Sequence, residues 1–204
     1  MVSIDQSPND TLDFTVKSNA ASFSTSTDLV GEYQVKNIPG ILKVIEILNS
    51  TGFKITNKHI KVGLGNVVNN SGLLGRWQII GKKPLIICDT VHNELGVKII
   101  LSQLAKLNFD RLFMIWGAVE GKKLDSVLMQ LPKDAFYYFC EPDIPRALKA
   151  DLLMEIAFAY NLKGEAIKDV NNAMDKAKKL AGKDDLIFIG GSNFIIAEIK
   201  DLKA

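Results

Sequence analysis

From about residue 77 onward the sequence alternates short, continuous apolar runs with longer amphipathic segments, and few folds accept that pattern. Strands are expected at Trp77–Ile80, Leu85–Asp89, Arg111–Trp116, Phe136–Cys140, Glu165–Ile167 and Asp185–Ile189. Helices fit Glu94–Leu107, Leu124–Leu131, Arg146–Tyr160, Val170–Leu180 and Asn193–Ile199. Strands that are apolar on both alternations are buried on both faces. Alternation with helices therefore predicts an α/β fold, a Rossmann-like, mostly parallel sheet with helices on both faces. In such sheets chemistry gathers where the strands end, which singles out Asp89–Asn93, Gly117–Lys122, Glu141–Arg146, Lys168–Asn171 and Gly190–Asn193.

The first third reads differently. Two strands rich in Thr, Phe and Val are expected at Thr11–Lys17 and Ala21–Ser26. A helix carries Ile41, Leu42, Val44, Ile45 and Leu48 at helical spacing and ends at Thr51-Gly52. A short helix follows, with Thr56 or Asn57 as its cap before Ile60 and Leu64. The polar, turn-forming Asn69-Asn70-Ser71-Gly72 reads as a linker. Two strands and two helices make a thin element, read as the tail of a domain whose beginning lies elsewhere.

Composition excludes several function classes. A formal charge of +2 over 204 residues offers no electrostatic footprint for nucleic acid or an anionic membrane. No apolar run approaches the ~20 residues that span a bilayer, and the first residues lack a basic and an apolar leader region, so a cytoplasmic location is expected. The two cysteines, Cys88 and Cys140, each end an apolar run and read as small buried hydrophobes. With two histidines at these separations they form no zinc pattern, so no metal ligands are assigned.

The most informative stretch is Asp89-Thr90-Val91-His92-Asn93, directly after one apolar strand and before a helix. An acid, an imidazole and an amide emerge together where backbone N–H groups and the helix dipole favour anions. The plainer reading is that Asp89 or Asn93 caps the helix and that His92 is an ordinary loop residue. Gly75-Arg76-Trp77-Gln78 is the second stretch. An Arg at a domain junction can bind phosphate or carboxylate bidentately, and a solvated strand-entry residue is the alternative.

Taken together, Gly75-Arg76-Trp77 followed by Asp89-x-x-His92-Asn93 resembles the C-terminal domain of the Mur ligase superfamily, more narrowly folylpolyglutamate synthase and the bifunctional dihydrofolate synthase. That family carries a Gly-Arg-aromatic element and an Asp-Gly-Ala-His-Asn-Pro motif, from which Thr90, Val91 and Glu94 depart. Asp28-Leu29-Val30-Gly31-Glu32-Tyr33-Gln34-Val35-Lys36-Asn37 resembles the family's central-domain signature, with Tyr33 where His is customary. Pro145-Arg146-Ala147-Leu148 and Gly190-Gly191-Ser192 also resemble family features.

The resemblance implies that residues 1–72 are the tail of the central domain and 73–204 the C-terminal domain. It implies an ATP-dependent ligase that adds L-glutamate to tetrahydrofolate, or to dihydropteroate, through an acyl phosphate, with Mg offsetting phosphate charge. Arg76, Asp89 and Asn93 would serve the nucleotide, His92 and Ser192 the glutamate, and Asp89 and His92 the chemistry by positioning and electrostatics. β-Branched Thr90 and Val91 are expected to stiffen and crowd the loop beside Asp89. The family's P-loop has no counterpart. Gly117-Ala118-Val119-Glu120-Gly121-Lys122 is one residue short between its glycines and lacks Ser or Thr after Lys122, and it reads as a surface turn. ATP and Mg would therefore be held mainly by an N-terminal ATPase domain absent from these residues, and the chain alone would be inactive. A peptidoglycan Mur ligase domain, or a non-catalytic Rossmann-like binding module, are the competing readings.

Overall fold

The computed structural model describes residues 2–5, 11–17, 22–121, 124–200 and 202, and they form two compact units, residues 1–76 and 77–204. In the first unit three antiparallel strands, β1 (Val2–Asp5), β2 (Leu12–Lys17) and β3 (Ser22–Thr27), lie side by side in that order. β1 was not anticipated, and Ala21, the expected start of the following strand, lies outside the described residues. A 3-10 turn over Glu32–Lys36 leads into helix α1 (Ile38–Ser50), and α2 (Asn57–Leu64) and α3 (Val67–Ser71) follow. Alternation along β2 sends Leu12 and Phe14 inward, and Phe14 joins Ile38 of α1 and Leu64 of α2 in a core flanked by Val16, Leu42 and Ile60.

The expected turn at Asn69–Gly72 is instead the end of α3. The Val67 and Val68 N–H groups donate to the two carboxylate oxygens of Asp28, at 3.0 and 2.9 Å. An acid placed on the helix N-terminus from 39 residues away satisfies amides that no local side chain caps. Gly72, at φ +68°, then closes the helix by donating to the Val68 carbonyl.

The second unit is a six-stranded sheet. Its strands are β4 (Gln78–Lys82), β5 (Leu85–Cys88), β6 (Leu112–Gly117), β7 (Phe136–Cys140), β8 (Lys163–Ala166) and β9 (Leu186–Gly190), in the order β4-β5-β9-β6-β7-β8. Only the β4–β5 pair is antiparallel. Successive residues Phe113, Met114, Ile115 and Trp116 are all buried, as are Tyr137 to Cys140 and Leu186 to Ile189. Both faces are thus covered, by helices α4 (Glu94–Leu104), α5 (Asp125–Leu128), α6 (Ala150–Phe158), α7 (Val170–Leu180) and α8 (Asn193–Ala197). Because β9 returns to the gap between β5 and β6, the Asp89 and Gly190 strand ends are neighbours.

Two helices are shorter than their apolar spacing suggests. Residues expected to open a helix at Arg146 form a loop, in which Ala147 bridges Val119 and the Glu120 N–H donates to the Arg146 carbonyl; α6 starts only at Ala150. The helix expected over Leu124–Leu131 is regular only for Asp125–Leu128.

The opposite end of the sheet is tied by Asp185, which is 4 % exposed. Its carboxylate accepts from the Arg111 N–H at 3.0 Å, from the Arg111 guanidinium at 2.6 Å and from the Gly182 N–H at 2.6 Å. Arg111 also donates to the Leu180 carbonyl, so one ion pair joins the entries of β6 and β9 to the end of α7. The Arg111 bond outweighs the opposing effect of burial and holds the Asp185 carboxyl below its ordinary range. A depressed carboxylate stabilises the fold above its ordinary pKa and ceases to do so as pH falls through the lowered value. Asp185→Asn is therefore expected to lose about 1–2 kcal/mol at pH 7, the solvent-facing Arg111 limiting the loss. In urea unfolding the gap to the parent chain closes below pH ~4.

Candidate functional site

Asp89 directly follows β5 and is 3 % exposed. A buried carboxylate needs partners, and here they are backbone amides: Oδ2 accepts from the Trp77 N–H at 2.7 Å and Oδ1 from the Val91 N–H at 2.9 Å. The Asp89 N–H donates to the Ile189 carbonyl, and the Gly191 N–H to the Val91 carbonyl at 2.9 Å. Residues 89–91 are thus sewn to the end of β9. Trp77 stands at φ +51°, a left-handed backbone that a bulky residue rarely adopts, and its buried ring meets Phe188 of β9 at 6.4 Å. The bond to Asp89 and the ring packing together hold that conformation.

Arg76 is exposed and joined by its peptide bond to the amide that Asp89 holds. His92 is exposed as well, and its Nδ1 lies 3.0 Å from the Thr90 carbonyl oxygen. A carbonyl only accepts, so in this contact Nδ1 is the donor, and Nε2 is left for other partners. Asn93 caps α4, its Oδ1 accepting from the Gly96 N–H at 2.8 Å. Of the expected residues, Asp89, His92 and Asn93 come together on one strand-to-helix turn. Asn93 caps the helix, and both Asp89 oxygens accept from backbone amides.

Ser192 is 1 % exposed and caps α8 by accepting from the Phe194 N–H at 3.2 Å. Its hydroxyl oxygen thus serves the start of the helix. A side chain at Gly191, φ +91°, would collide with the Gly117 carbonyl and come within 2.8 Å of the Trp116 ring. One at Gly190 would come within 2.7 Å of Phe188. Glycines here let the ends of β9 and β6 approach closely.

The crowding expected of Val91 is absorbed beneath the turn. Val91 is 7 % exposed, and a Cβ on Gly96 would lie 2.8 Å from its Cγ2. Glycine in the first turn of α4 makes room for the larger residue. Ordinarily Gly→Ala inside a helix stabilises by up to about 1 kcal/mol.

Glu141, marked in the sequence only as the start of a strand-end stretch, lies just past β7 and is 8 % exposed. Burial raises its pKa, but the Ala150 N–H at 3.0 Å and the Lys149 ammonium at 3.1 Å, with Lys168 at 3.4 Å, bring it below its ordinary value. Its partners lie eight and more residues away, so no local pattern announces its bonds. Arg146, in the loop that follows, lies over the Phe194 ring at 5.5 Å and ties that loop to the start of α8. Cys88 and Cys140 are fully buried as expected, and burial, with Asp89 nearby, pushes the Cys88 thiol up to about 12. Among the described residues no three His, Cys, Asp or Glu side chains cluster to hold a metal ion, and no helix is long and apolar enough to cross a membrane.

The packing of Val91 on Gly96 yields a test. Gly96→Ala is expected to destabilise by about 1–3 kcal/mol through overpacking, despite its gain in helix propensity. Adding Val91→Ala should recover most of that loss, a coupling of at least 0.5 kcal/mol in denaturant titrations of the four-member cycle.

Comparison with known proteins places these features. Residues 75–193 match the model of the Mur ligase glutamate ligase domain. A probable bifunctional folylpolyglutamate synthase/dihydropteroate synthase of Haloferax volcanii is 26 % identical over 189 residues, covering 91 % of this chain and 22 % of that protein. The dihydrofolate synthase/folylpolyglutamate synthase of Escherichia coli K12 is 23 % identical, covering 80 % of this chain and 37 % of its own length. The structure of E. coli FolC in complex with DHPP and ADP superposes with a TM-score of 0.72 at 20 % identity, over 95 % of this chain and 43 % of that one. A Mycobacterium tuberculosis folylpolyglutamate synthase complexed with ADP gives the same TM-score at 18 % identity. The chain spans between about a fifth and two fifths of the length of the curated relatives it matches. With more than half of its residues on the family model, the chain belongs to the Mur ligase glutamate ligase domain family.

Proposed function

We propose that this chain is the C-terminal part of a folylpolyglutamate synthase, residues 1–72 closing its central domain and 73–204 forming the domain that presents Arg76 and His92 to nucleotide and glutamate. The observation that carries the reading is the latch at Asp89. A buried carboxylate on the turn that exposes the His92 imidazole holds the amide of Trp77, the residue that follows Arg76 in the chain. The names of the Haloferax and Escherichia relatives supply the substrate class, a folate carboxylate and L-glutamate.

The chemistry divides accordingly. ATP, when bound, activates the carboxylate for attack by the amine of glutamate, with Mg offsetting phosphate charge. The described residues contain no cluster fit to hold that metal, and phosphate cradle and Mg fall to an N-terminal ATPase region. What this chain's residues do is position. Arg76 offers a permanent cation in a planar fork suited to an anionic oxygen. His92, with Nδ1–H turned to the Thr90 carbonyl, offers Nε2 to a proton or a polar group of the incoming amino acid. Asp89 acts through backbone as a positioning residue.

The chain alone is expected to turn over nothing. Mixed with a separately produced N-terminal ATPase region, it should support ATP-dependent addition of radiolabelled glutamate to tetrahydrofolate. Arg76→Ala and His92→Ala should each lower that rate by about 10²–10³-fold with the fold intact by circular dichroism. A mixture that forms a complex yet ligates nothing would favour a non-catalytic binding module. ATP hydrolysis by the pure chain would contradict the division of labour.

A further inference from the structure

The end of the six-stranded sheet opposite the Asp89–Asn93 turn carries a groove. It lies between the second half of α4, the loop leading into β6 and the loop leading into β7, and holds about 500 Å³. That volume falls within the ~300–1,000 Å³ range of small-molecule sites. The floor is apolar: Leu104 is 2 % exposed, and Leu101, Phe109 and Leu112 are half-buried. The rim is acidic. Asp110 and Asp134 are exposed there, and neither carboxylate has a hydrogen-bond or ion-pair partner among the described residues.

The cation on the wall does not offset them. The Arg111 guanidinium donates to Asp185 at 2.6 Å and to the Leu180 carbonyl at 2.9 Å, and it lies over the Phe113 ring at 5.2 Å. Gln130, also on the wall, donates its amide nitrogen to the Ser126 carbonyl at 2.6 Å, which leaves it an oxygen, an acceptor, to offer. The adjoining cavity beyond Phe109 differs, because three lysines and three aspartates line it and give it no preferred sign. We propose that the groove by α4 is a binding site for a small arylalkyl amine, its ring on the Leu104, Phe109 and Leu112 floor and its ammonium at the Asp110 and Asp134 rim. The ring gains by leaving water, and the ammonium finds only acceptors. A ligand ending in a carboxylate meets like charge instead. The site lies outside the ligase reading and does not depend on it.

The test is a titration of the labelled full chain with 2-phenylethylamine, followed by amide nitrogen and proton shifts. A Kd of about 1 mM is expected for so small a ligand. The shifts should gather at Leu101, Ala105, Phe109 to Leu112 and Asp134, with the Asp89–Asn93 turn silent. 3-Phenylpropionate, the same body ending in a carboxylate, should bind at least ~10-fold more weakly. Two variants probe the wall at exposed positions, with thermal stability unchanged. Asp134→Lys should weaken the amine at least ~5-fold, and Ala105→Leu, which fills the groove, at least ~10-fold. No shift up to about 20 mM amine, equal binding of the two probes, or parent affinity in either variant overturns the assignment. So do shifts at the same residues when the chain is concentrated without probe, since a second copy would then be the occupant.

Discussion

The arrangement of the strand tips depends on one carboxylate. Asp89 is buried where a charge is costly, and two backbone N–H groups, from Trp77 before β4 and Val91 in the turn beyond β5, make the burial tolerable. That pair of bonds fixes three things at once. It holds Trp77 in a left-handed backbone, sets the chain leading out of Arg76, and shapes the turn that exposes His92 and lets Asn93 start α4. An uncharged acceptor of the same shape has only one oxygen for two amides.

Around that latch the sheet leaves no freedom. The ends of β9 and β6 approach until only glycine fits at positions 190 and 191, under the Trp116 ring. At the far end Asp185 and Arg111 bind the strand entries together, and at the side Glu141 ties the end of β7 to the start of α6. Each is a buried acid satisfied by backbone amides and a cation that remains largely in solvent. Rigidity of this kind suits a domain whose contribution is placement, because a positioning group works only if its own support does not move.

Much of this was legible in the sequence, for reasons that are local. Continuous apolar strands such as Phe136–Cys140 and Asp185–Ile189 announced a doubly covered sheet, and Thr56 and Asn93 stood as caps where their helices begin. What escaped was non-local. Asp28 caps α3 from 39 residues away, which turned an expected linker into a helix. The strand β1 pairs with β2 on a pattern too short to read, and α6 starts four residues late because the Arg146–Lys149 stretch bonds sideways to the Val119 loop. Within the site, residue types were legible and their duties were not. Asp89 and Ser192 look from sequence like ligand contacts, and the structure gives their oxygens amides of the fold to accept from as well. Val91 looks like an obstruction, whereas Gly96 accommodates it.

The central claim is that Arg76 and the turn that exposes His92 serve nucleotide and glutamate. The most direct measurement is a set of amide and imidazole nitrogen chemical shifts, recorded on labelled chain assembled with the ATPase region, before and after adding a non-hydrolysable ATP analogue with Mg and then L-glutamate. The account predicts changes concentrated at residues 75–77, 89–93 and 190–192, with the His92 Nε2 resonance among the largest and the Asp185 end of the sheet silent. Changes centred at that opposite end, or none at the strand tips while the assembled complex binds its ligands, would contradict it.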